Sequence, residues 1–88
     1  MTKKYIVDQQ NSGLQEGDQV KLLNVVNNNE KGWGNIWIEE MTLNVNKIGS
    51  ILSLNEYKPS LGITVKFDND EEFDYPYFVL EKVEIKNN

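Results

Sequence analysis

The densest chemistry in the chain is the run Asp68-Asn69-Asp70-Glu71-Glu72-Phe73-Asp74, five carboxylates in seven residues. Such spacing would suit a calcium loop or an acid/base pair. The Asp68-x-Asp70 start, however, lacks the glycine and the later bidentate glutamate of an EF-hand loop, and no helices are evident beside it. It reads as a solvated hairpin turn. Glu39-Glu40 is the other acidic pair, and nothing around it supplies the burial that would drive two carboxyl pKa values apart. Ser12, Ser50, Ser53 and Ser60 have neither a histidine nor a Ser-x-x-Lys spacing to activate them, and no phosphate-cradling glycine loop is present. The chain has no His, no Cys and no Arg, so the commonest general base, thiolate ligands and the bidentate guanidinium are all missing. The expectation is a protein that is not an enzyme and carries no metal and no cofactor.

Eighty-eight residues without an interior Pro/Gly/Ser-rich linker make one small domain with a modest core. Fourteen acids against nine lysines give a net charge of −5, which argues against direct binding of nucleic acid by counterion release. The run Tyr5-Ile6-Val7 after Lys3-Lys4 is too short for a signal sequence, and no later stretch is long enough to span a membrane, so a cytoplasmic protein is expected. The absence of Ala beside many Val, Ile and aromatic residues tilts the chain towards strands.

The elements that must position these groups follow in order. Residues 1–16 read as an N-terminal segment with an edge strand at Tyr5-Ile6-Val7 and then a loop, and residues 17–88 as the domain proper. Gln19 to Val26 is the first firm strand. Asn27 to Asn46 is one long excursion, in which Ile36 to Met41 fits either a strand or one turn of helix with Trp37 and Met41 on one face. Lys47 to Leu54 is the second strand. Gly62 to Phe67 is the third and clearest, with Ile63, Val65 and Phe67 on one face and Thr64 and Lys66 on the other. The acidic turn leads into Glu72 to Tyr75, Pro76 stops that strand, Tyr77 to Leu80 forms a 3-10 turn, and Glu81 to Ile85 closes the sheet. The fold class is all-β, a small barrel of about five antiparallel strands.

Specific residues add a resemblance. Gly17-Asp18-x-Val20-x-Leu22, Trp37-x-x-x-Met41, Val45-x-x-Ile48-Gly49-x-Ile51, Val65-x-Phe67-Asp68 and Tyr75-Pro76-x-x-x-Leu80-Glu81-x-Val83 together resemble the Mib/Herc2-type SH3-like repeat, and more closely small phage proteins with the same pattern. The match covers about residues 17 to 85. It departs from the family between Asn28 and Trp37, where the tryptophans are placed unlike the family's close pair, and in Phe73 where a bulkier aromatic is expected. The resemblance implies an SH3-like barrel acting as a non-catalytic module that binds a host protein or peptide. It carries a ligand groove onto Trp37, Tyr75, Pro76 and Tyr77, to which the residues themselves add Trp33 as a further aromatic and Glu39, Glu40 and Asp74 as an acidic rim. Phage origin would place the protein in the host cytoplasm. Two alternatives stand beside this reading: a small-molecule sponge with pockets at an oligomer interface, and an acidic nucleic-acid mimic that inhibits a DNA-binding host protein.

Overall fold

The computed structural model describes residues 2–84. Five strands form one antiparallel sheet: β1 (Gln19–Leu22), β2 (Ile48–Asn55), β3 (Gly62–Lys66), β4 (Glu72–Tyr75) and β5 (Leu80–Lys82). Their order is β4-β3-β2-β1-β5, a meander whose last strand returns beside the first. With the long excursion after β1 and a 3-10 turn at Tyr77–Val79 before β5, this is the layout expected of a small SH3-like barrel. Ile85 lies outside the described residues.

Alternation in β3 is what anchors the sheet. Ile63, Val65 and Phe67 are buried while Thr64 is half-buried and Lys66 exposed, as a period-two pattern on a one-sided sheet requires. Val20 and Leu22 of β1, Ile51 of β2, Tyr75 of β4 and Leu80 of β5 complete the sheet's contribution to the core. Gly49 has a specific packing role. A Cβ there would lie 2.7 Å from both the Lys66 carbonyl oxygen and Val65 Cγ1, so only glycine lets β2 approach β3 this closely. Leu52 sits at a register shift between Ile51 and Ser53 and is left partly exposed.

Three expectations need correction. The segment taken as an edge strand is a helix, α1 (Thr2–Gln10). Its cause is tertiary: Tyr5 is 1% exposed and donates its hydroxyl proton to Gln9 Oε1 at 2.8 Å, a contact that exists only when residues four apart share a helical face. Gln9, itself buried, then donates from Nε2 to the Asn55 carbonyl at 3.2 Å and fixes the helix to the end of β2. Second, β1 ends at Leu22 rather than Val26. Asn24 Oδ1 accepts the Val25 amide proton at 2.8 Å, a local bond that competes with the ladder. Third, of the two options for Ile36 to Met41 the chain takes a single helical turn, α2 (Glu39–Thr42), while Trp37 stays outside it.

Candidate functional site

The excursion between β1 and β2 is closed at its base, where Asn46 donates to the Leu22 carbonyl at 2.7 Å and Leu22 to the Lys47 carbonyl at 3.1 Å. What it encloses is mostly core. Trp33 is fully buried, with its indole N–H donating to the Leu61 carbonyl at 3.0 Å and its ring over Gly62. A Cβ at Gly62 would sit 2.7 Å from Trp33 Nε1, so the glycine makes room for the indole as well as for its own positive φ.

Tyr75 is also fully buried. Its hydroxyl donates to the Met41 carbonyl at 3.3 Å and accepts from Asn44 Nδ2 at 3.2 Å, and burial pushes the phenol up to about 12. Asn44 is a fully buried polar side chain, satisfied there because it also accepts from Asn69 Nδ2 at 3.4 Å. Pro76 is buried beside it. These residues hold the excursion on the barrel and do not present a surface to a ligand.

Trp37 is half-exposed, as are Phe73, Tyr77 and Phe78, while Tyr57 is exposed; what sets Trp37 apart is that it is held rigidly. Its backbone N–H donates to Asn28 Oδ1 at 2.7 Å and its indole N–H to Thr42 Oγ1 at 2.8 Å. One edge packs on Tyr75 at 5.4 Å between centroids and another on Trp33 at 6.5 Å. The structure thus brings Trp37 and Tyr75 together, as the expected groove requires. Tyr77 goes elsewhere: its ring lies 5.3 Å from that of Tyr5 on α1, and its backbone N–H donates to the Tyr5 hydroxyl at 3.2 Å. Helix α1 therefore covers one side of the Tyr77 ring, which stays half-buried.

Of the expected acidic rim, Glu39 and Glu40 are exposed. Asp74 is half-buried and engaged through one carboxylate oxygen, Oδ1. It accepts from the Thr64 hydroxyl and, at 3.4 Å, from Asn55 Nδ2, and burial raises its carboxyl pKa while the Thr64 bond opposes that shift. Sequence reasoning missed three residues that do face solvent around Trp37, namely Ile36 at 63% exposure, Leu43 at 63% and Ile38 at 36%. The signal for them was present: Ile36-Trp37-Ile38 has apolar residues at successive positions, and a segment covered on one side cannot bury all of them.

Two open clefts of about 510 and 550 Å³ meet at Ile48, Phe67 and Asp68, where β2 passes the β3–β4 turn. None of the eight residues singled out from the sequence lines either cleft. Among the described residues no three His, Cys, Asp or Glu side chains are grouped so as to hold a metal ion, and no helix is long and apolar enough to cross a membrane. Comparison of the chain with protein-family models, curated proteins and solved structures gives no match.

Proposed function

We propose that this protein is a non-catalytic binding module that grips a protein or peptide through the excursion, with Trp37 as the anchor, Ile36, Ile38 and Leu43 as the surrounding apolar contacts and Glu39 and Glu40 as an acidic rim. The observation that supports this reading is the combination of an immobilised indole with three solvent-exposed aliphatic side chains in one eight-residue stretch. A fixed aromatic ring loses little conformational freedom on binding, and apolar neighbours exclude water around it; both are properties of interface anchors. The resemblance to small phage proteins supports taking the partner as a host protein, with the module acting as an accessory or inhibitor in the host cytoplasm.

The test is capture of the partner from a bacterial lysate, followed by affinity measurements on folded variants. Trp37→Ala should cost about 2 kcal/mol or more, roughly thirtyfold in Kd. Leu43→Asp, at an exposed position, should weaken binding while leaving the melting temperature in place. Unchanged affinity in both, with loss on neutralising Asp70, Glu71 and Glu72 and a steep dependence on salt, would overturn the reading in favour of a nucleic-acid mimic.

A further inference from the structure

The sheet is open, and its two edges differ. β5 is three residues long and carries Glu81 beside Lys82, one charge of each sign. β4 is four residues long and acidic throughout its neighbourhood, with Asp68, Asp70, Glu71, Glu72 and Asp74 from the turn to the strand. The one described ion pair in that run is Lys66 with Asp70 at 3.7 Å.

The backbone of β4 has a definite polarity. Phe67 donates to the Glu71 carbonyl at 3.1 Å, and the register continues through Val65 with Phe73 and Ile63 with Tyr75. Hydrogen-bonded pairs alternate along an antiparallel ladder, so Phe73 and Tyr75 spend their N–H and C=O groups on β3. The N–H and C=O groups of Glu72 and Asp74 then point away from the sheet. Among the described residues nothing pairs with them, because β4 has no neighbour on that side and no loop or side chain bonds to these groups. An unpaired row of this kind is a template for another strand.

We propose that the free edge of β4 takes up an extended segment of a partner protein as a sixth strand, and that this segment carries Lys or Arg opposite Glu72 and Asp74. The proposal rests on the reading of this protein as a polypeptide-binding module and specifies how the partner docks. Cross-strand neighbours of opposite charge favour pairing and like charges oppose it. A second copy of this chain is therefore a poor occupant, since β4 against β4 would set Glu72 and Asp74 against the same acids. The partner residue between its two basic ones would face the same side as the half-buried Phe73, so an apolar residue fits there and the segment reads basic-apolar-basic. The edge also leads to the proposed anchor: Tyr75, the last residue of β4, touches Trp37 at 5.4 Å between ring centroids.

The experiment uses the whole protein labelled with nitrogen-15 and titrated with a peptide alternating Lys and Val, with an alternating Glu and Val peptide of equal length as control. Amide exchange at Glu72 and Asp74 should slow by about tenfold with the basic peptide, the factor expected when a hydrogen bond of ordinary net strength closes on each, and remain unchanged with the acidic one. Glu72→Pro should abolish that protection. It removes an outward N–H and takes no bond from β3. Glu72→Lys, which leaves the backbone intact, should weaken it too. Protection confined to amides around Trp37 would overturn the edge while leaving the binding-module reading in place. Absence of protection at any amide, or protection at Glu72 and Asp74 in the free protein that grows with its own concentration, would overturn it as well. Protection at the edge, together with unchanged partner affinity for Trp37→Ala, would uphold the edge and remove Trp37 as the anchor.

Discussion

The β3–β4 hairpin and helix α1 are both short, and both close over the same core, but they are held by different means. In the hairpin, Ile63, Val65 and Phe67 alternate with polar residues, the tight turn places Asp70 at φ 64°, and the Asn69 side chain accepts the Glu71 amide proton at 3.0 Å. Each of those features lies within a dozen residues of the others. In α1 the local signals are weak: no acidic residue occupies its first turn, no basic residue its last, Ile6 and Val7 are β-branched, and the i,i+4 ion pair of Lys4 with Asp8 at 3.0 Å is solvent-exposed. Nine residues are too few for an isolated helix to persist in water. Its stability therefore comes from Tyr5 and Gln9, through partners far along the chain at Tyr77 and Asn55. The hairpin should accordingly behave as part of the global unit and the helix as a separately opening one.

The largest effect that tests this contrast is Phe67→Ala. The ring is 3% exposed, and its loss should cost about 3 to 5 kcal/mol in urea unfolding, lowering every structural probe together. Gly49→Ala comes next. Its added methyl meets a backbone oxygen and Val65, and overpacking of that kind costs roughly 1 to 3 kcal/mol; a variant as stable as the parent would mean that β2 can move away from β3.

Tyr5→Phe should sharpen the comparison. It leaves the Tyr77 amide and Gln9 Oε1 without their described partner, at a cost of about 1 to 3 kcal/mol, and hydrogen exchange should show α1 opening while the β3–β4 amides stay protected. Loss of protection in both regions at once would show that the helix and the hairpin form a single cooperative unit.

Two effects of pH follow in decreasing size. Burial raises the phenols of Tyr5 and Tyr75 above their ordinary 10.0, that of Tyr75 to about 12. The folded state therefore holds these protons while the unfolded chain releases them, so the stability they contribute is full below pH 10 and is lost as pH rises from 10 towards 12. Tyr75→Phe should flatten that alkaline slope in denaturant titrations. Asp74, also raised by burial, gives a decline of the same sign beginning near 3.8, and Asp74→Asn should remove it. A stability profile that rises through the acid range because of Asp74 would contradict its placement beside Thr64 and Asn55.

The amino-acid sequence by itself determined roughly where the five strands of the sheet fall, while the return of β5 beside β1 is a long-range pairing. Period-two alternation in β3, the acidic turn, the proline that ends β4 and the 3-10 turn at Tyr77–Val79 are all properties of neighbouring residues, and short-range sterics and hydrogen bonding decide them. The aromatic residues were legible only as a group. Which of them face solvent was decided by contacts across the chain: Trp33 is buried because the Leu61 carbonyl and the bare face of Gly62 receive it, 28 residues away, and Tyr77 is half-buried because Tyr5 lies against one side of it, 72 residues away. The tertiary structure likewise made a helix of Thr2–Gln10. Burying Tyr5 and satisfying Gln9 outweigh a strand preference amounting to a fraction of a kcal/mol per residue, and the only local hints, the i,i+4 pairs Lys4–Asp8 and Tyr5–Gln9, are too weak to decide it alone.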